Sequence, residues 1–211
     1  KILRLDEELI NSSISTEEMS SIEDSITKNK NLSAVVLQTG GLATYPSIVP
    51  SNISLINLLE TVSHEWLHSY LIFFPLGRSY FSDGQMLTIN ETLANMFGKE
   101  LATEMYLKII DKDKNMKNVS SDENISQEKK EPVFSYNTHM QKTRIKTEEL
   151  LSEGRIIEAE NYMELRRIDL NKNGYNIRKI NQAYFSFYGS YADSPQSISP
   201  IYKQLQDLRD K

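Results

Sequence analysis

Residues 61–71, TVSHEWLHSYL, hold two of the three histidines of the chain, four residues apart, with a glutamate directly after the first. On an α-helix, positions i and i+4 share a face with their Cβ atoms about 6 Å apart. His64 and His68 can therefore both turn a ring nitrogen towards one ion. Glu65 lies about 100° around such a helix from His64. From there its carboxylate can hold and deprotonate a water activated by the ion without taking a coordination position itself. The competing reading is two histidines packed in a buried helix by chance, each satisfied by hydrogen bonds; burying such rings unpaired costs about 1–3 kcal/mol each.

The helix around this stretch spans residues 54–74, SLINLLETVSHEWLHSYLIFF, with Ser54 as N-cap and Pro75 as terminator. It is apolar on nearly every face, which predicts burial all round. A second buried helix is predicted over residues 88–110, where Ile89, Leu93, Met96, Phe97 and Leu101 form one stripe.

A catalytic metal site needs a third protein ligand, and with no cysteine in the chain it must be histidine or carboxylate. Glu91 is the strongest candidate. Thr88-x-x-Glu91 also fits a capping box, in which the glutamate would only satisfy a backbone amide at a solvent-facing helix start. Against that stands the row Ala94, Asn95, Gly98 and Ala102, small side chains that would let this face approach the histidine helix closely. Asn95, one turn after Glu91, either accepts a hydrogen bond from the outer ring nitrogen of a ligand histidine or is polar filler.

The rest of the chain limits what this centre can belong to. With 211 residues, 39% hydrophobic and 25% charged, it is globular, and its net charge of −5 offers no basic surface for nucleic acid. The longest apolar run, around residues 66–74, falls far short of the roughly 20 residues a membrane span needs. The chain opens at Lys1 rather than methionine, so an export signal or anchor is expected upstream and its compartment is open. A capped helix is expected over residues 15–29 and a strand over residues 34–39, broken by Gly40-Gly41. Residues 111–132 are almost wholly polar and read as a linker between two halves, residues 1–110 and 133–211. Helices follow at about 135–152, 155–171 and 176–188, with a last one behind Ser199-Pro200. His139 reads as a surface histidine. Arg166, Arg167 and Arg178 could grip a substrate carboxylate or pair with Glu158, Glu160 or Glu164.

HEWLH followed by NETLAN, with Glu91 23 residues after His68, resembles the gluzincin pattern, HExxH and then NExxxD, of thermolysin-like peptidases and zinc aminopeptidases. The resemblance implies one Zn2+ per chain on His64, His68 and Glu91, Glu65 as general base, and Asn95 where the family has an aspartate supporting a ligand histidine. Asparagine is neutral there and would polarise a histidine less. The resemblance also implies an edge strand that pairs with substrate, for which residues 34–39 with Gly40 and Gly41 are the segment present. The aminopeptidases carry in that segment a glutamate for the free amine of the substrate; TGGLATYP has none, so exopeptidase action is not inherited from it. The oxyanion donor in such enzymes is tyrosine or histidine. NQAYFSFYGSYADSP, residues 181–195, offers Tyr188 and Tyr191, with Asn181 and Tyr184 on the same helix face as Tyr188 for substrate contact, although aromatic crowding of this kind is also ordinary core packing. The two segments GGLATYP and NQAYFSFYGSYADSP are similar to those of predicted bacterial aminopeptidases of gluzincin type.

The expected fold is mostly α with a small β-sheet (α+β), zincin-like, with two buried metal-site helices and a helical C-terminal half closing the cleft. The expected activity is zinc-dependent hydrolysis of a peptide or protein substrate. The rival is a catalytically idle zincin-like scaffold that binds a peptide or protein partner.

Overall fold

A computed structural model describes residues 2–116 and 134–211. The first helix, α1 (Thr16–Lys30), starts at a reciprocal capping box: the Glu18 amide donates to Ser15 Oγ at 3.2 Å and the Ser15 amide to Glu18 Oε2 at 2.7 Å. Ser54 caps α2 (Leu55–Leu71) by accepting from the Asn57 amide at 3.3 Å. A single turn, α3 (Pro75–Arg78), leads to α4 (Gly84–Met116). This helix starts four residues before the predicted Thr88, because Asp83 Oδ1 takes the amides of Gln85 and Met86, both at 2.8 Å. It also continues to Met116, so residues 111–116 of the expected linker are helical; residues 117–132 lie outside the described residues.

Four further helices follow: α5 (Tyr136–Ser152), α6 (Ile156–Lys172), α7 (Gln182–Tyr188) and α8 (Ile201–Arg209). Residues 176–181 are not helical as predicted. Asn171 takes both main-chain groups of Ile177, and Asn181 caps α7 through the Tyr184 amide at 2.9 Å. No helix among the described residues is long and apolar enough to cross a membrane.

The expected β-sheet is absent among the described residues, where the only β feature is an isolated bridge between Leu42 and Ile48. Residues 34–39 are extended, but side chains take the place of a neighbouring strand. The Val36 amide donates to Glu23 Oε1 at 2.7 Å, Arg178 donates to the Val36 carbonyl at 3.0 Å and Asn181 Nδ2 to the Ala34 carbonyl at 2.8 Å. These three backbone groups are thus satisfied without a ladder. Glu23, fully buried, also holds Arg178 and Lys179. Burial pushes its carboxyl up, but Arg178, the Val36 amide and Lys179 together hold it below the usual carboxylate value.

The fold divides into two compact units. The first comprises Lys1–Thr39, Ser79–Thr92 and Ser135–Lys211; the second comprises Gly40–Arg78 and α4 from Leu93 onward, so α4 belongs to both. In the first unit α5 packs on α6, with Met140, Leu150, Ala159, Met163 and Leu170 in the core. Buried Thr143 and Thr147 donate to the carbonyls four residues earlier, at 2.7 and 2.8 Å. His139 is buried here rather than at the surface, with Nε2 2.8 Å from Asp169 Oδ2. Burial, with Arg166 nearby, holds its pKa below the usual histidine value against the pull of Asp169. The arginines do not form one substrate grip: Arg167 pairs with Glu164, Arg178 with Glu23, and Arg166 donates to Thr143 Oγ1 and the His139 carbonyl.

In the second unit α2 lies against α4 through small residues. A Cβ on Gly98 would stand 2.8 Å from the Glu60 carbonyl oxygen and 3.4 Å from His64 Cβ, and Ala94 and Ala102 are fully buried. The predicted all-round burial of α2 does not hold: Val62, Trp66, Tyr70, Ile72, Phe73 and Phe74 are exposed, Phe73 at 72%. The outward rings shield one another instead, Trp66 on Tyr70 at 5.3 Å, Tyr70 on Phe74 at 4.9 Å and Trp66 on Phe97 at 5.8 Å between centroids.

Candidate metal centre

The i, i+4 spacing on α2 does what the sequence requires of it. The rings of His64 and His68 meet edge to face, 4.7 Å between centroids, with their Nε2 atoms 3.0 Å apart. Each is half-buried. Glu91 of α4 is 5% exposed, and one donor atom from each of His64, His68 and Glu91 lies within 4.8 Å of the others. These three side chains form a cluster that could hold a metal ion.

The capping-box alternative for Glu91 does not survive the geometry. Because Asp83 opens α4, Glu91 stands two turns inside the helix, and the Thr88 hydroxyl donates back to the Gly84 carbonyl at 2.8 Å instead of capping. A buried carboxylate at that depth needs a polar partner. Tyr80 Oη supplies one, donating to Glu91 Oε1. Tyr191 is a second: burial, then the negative Glu91 carboxylate, Tyr80 and a hydrogen bond to Glu91 drive its pKa far above the usual tyrosine value, against Arg4. The phenol is accordingly a proton donor throughout the neutral range.

Glu65, 7% exposed, lies against Gly41. A Cβ on Gly41 would collide with Glu65 Oε1 and stand 2.9 Å from Thr61 Cγ2. Gly41 is thus needed for a close approach to this carboxylate. Gly40 has open space around its Cα and no such constraint. Asn95 is half-buried on α4, one turn after Glu91.

No protein-family model matches this chain, and neither a curated protein nor a solved structure matches it.

The remaining predicted residues sit in a different set of contacts. Asn181 is buried as the cap of α7 and the tether of Ala34. Tyr184 is buried with its hydroxyl accepting from Gln196 Nε2 at 3.2 Å and 3.5 Å from that of Tyr136; burial first, then Tyr136, drives its pKa well above the usual value. Tyr188 packs on Tyr184 at 4.6 Å, and burial raises its phenol as well. Tyr136, Tyr175, Tyr184 and Tyr188 line a groove of about 440 Å³ in the first unit, together with Val35 and Leu37. Alternate residues of an extended chain point opposite ways, so while Ala34 and Val36 are tied to Asn181, Glu23 and Arg178, Val35 and Leu37 face this groove.

Sequence reasoning missed Tyr80. It lies in the turn between α3 and α4, where no periodicity tells which way a side chain points, and only the chain path brings it to Glu91.

Proposed function

We propose that this chain is a zinc-dependent metallopeptidase of gluzincin type. The observation that carries the reading is the convergence of His64, His68 and buried Glu91, with Glu65 adjoining the first histidine. The donor set fits the ion. With zinc–nitrogen bonds of about 2.0–2.1 Å in tetrahedral geometry, two ligand nitrogens stand roughly 3.3 Å apart, and the Nε2 atoms of His64 and His68 are already 3.0 Å apart. Two histidines and a glutamate make a three-ligand set of the catalytic type, which leaves one position open. When bound, zinc would polarise the scissile carbonyl and lower the pKa of water to about 7.

Glu65 takes the proton of the attacking water and passes it to the leaving amine. Its burial against Gly41 restricts its motion. Tyr191 is the hydroxyl assigned to the developing oxyanion, a role in which its single proton turns from the Glu91 carboxylate to the substrate. The tyrosine groove supports a peptide as substrate, because Val35 and Leu37 offer an extended backbone beside apolar ring faces. Asn181, Tyr184 and Tyr188 act through this segment rather than in the chemistry, and Gly40 has no assigned part.

The test is Glu65→Gln. Zinc content should equal that of the parent while hydrolysis of a broad peptide library is lost. Cleavage at the parent rate would remove Glu65 from the mechanism, and a zinc-loaded parent that cuts nothing would favour the idle scaffold.

A further inference from the structure

We infer that Tyr80 is a positioning residue for the metal centre: its phenol donates to Glu91 Oε1 and so fixes the rotamer in which the carboxylate meets an ion. The inference rests on reading His64, His68 and Glu91 as a metal site. A glutamate can bind a cation through one oxygen or both, and its three side-chain torsions let it turn away altogether. On α4 the backbone of Glu91 is fixed, but the backbone alone does not decide between these states. The Tyr80 hydroxyl donates to Oε1, and its ring is held in turn by Phe81, edge to face at 4.7 Å between centroids. A neutral donor suits this role. It fixes one oxygen without cancelling the negative charge that attracts the cation, as a lysine or arginine would. Tyr191 reaches the same carboxylate from the segment after α7, so Glu91 is held from two parts of the first unit. The alternative role for Tyr80, a simple tie between the 79–83 turn and α4, would leave metal binding untouched.

The experiment is Tyr80→Phe in the full chain, which keeps the ring and removes only the hydroxyl. Zinc affinity is measured by competition with a chromophoric chelator, and the cobalt-substituted protein is followed by visible absorption. Loss of such a supporting contact is expected to weaken zinc binding about 10–100-fold. The cobalt bands should shift as the loosened carboxylate changes its geometry at the ion. Circular dichroism of the metal-free forms and the variant Tyr45→Phe, which removes a hydroxyl from a fully exposed tyrosine, control for folding. A parent that binds tightly and a Tyr80→Phe protein with the same zinc affinity and cobalt spectrum overturn this inference alone. A parent that binds neither zinc nor cobalt overturns the metal-site reading, and the inference with it.

Discussion

Replacing Gly98 by alanine should reverse the usual sign of that substitution. In an exposed helix interior, alanine for glycine stabilises by about 0.5–1 kcal/mol, because glycine loses more backbone freedom on folding. At position 98 the added Cβ would stand 2.8 Å from the Glu60 carbonyl oxygen and 3.4 Å from His64 Cβ and the His64 amide nitrogen. The first contact is well inside normal separation, and the carbonyl belongs to the α2 backbone, so relief requires the two helices to move apart. Overpacking of this kind costs about 1–3 kcal/mol. Less the helix-propensity gain, the net destabilisation is about 1.3 kcal/mol at mid-range and at most about 2.5 kcal/mol. With a urea m-value of about 2 kcal/mol/M, the unfolding midpoint should fall by about 0.6 M and at most about 1.25 M. Gly84, on the same helix with open space around it, is the matched control, and Gly84→Ala should raise the midpoint slightly. If Gly98→Ala also raises it, α2 and α4 are not in the close contact on which the metal centre depends.

Three more outcomes follow from the same geometry. Gly41→Ala, which drives a methyl into the Glu65 carboxylate, should slow peptide hydrolysis about 100-fold with zinc retained, whereas Gly40→Ala should be neutral; equal rates for the two in a peptide-cleavage assay would refute the close approach. Glu23→Ala should cost about 3–5 kcal/mol, since it leaves Arg178 and Lys179 without their buried partner. Because the folded-state pKa of Glu23 lies below its ordinary 4.5, its contribution is complete above that pH and fades as pH falls through the folded value, so the urea midpoints of parent and Glu23→Gln should converge in acid. His139 should titrate below 6.5 by NMR; its depressed pKa means that its contribution holds above 6.5 and is lost as pH falls through the folded value.

What the sequence made legible was local. Caps at Ser15 and Ser54 and the i, i+4 histidines each depend on a few neighbouring residues, and the starts of α1 and α2 follow from them; the end of α2 does not, since it stops at Leu71, before the expected terminator Pro75, which opens α3 instead. The small-residue row on α4 was readable for the same reason, since helical spacing alone puts Ala94, Gly98 and Ala102 on one side. Features set by distant parts of the chain were not. Residues 34–39 have the β-branched and apolar composition of a strand, yet their hydrogen bonds go to Glu23, Arg178 and Asn181, up to 147 positions away in sequence. Apolar composition likewise overstated the burial of α2, because rings at 66, 70 and 74 can cover one another without a covering element. His139 looked like a surface residue on an amphipathic helix until Asp169 and Arg166 of α6 supplied its polar surroundings. Tyr80 could be found only from the path of the chain through the turn before α4.

The central claim is that His64, His68 and Glu91 act together as one metal site. Zinc content per chain after exhaustive dialysis, measured by elemental analysis on the parent, His68→Ala and Glu91→Ala, tests it most directly. One zinc in the parent and none in either variant is the predicted result. A parent without zinc, or a Glu91→Ala protein that keeps its full equivalent, would contradict it.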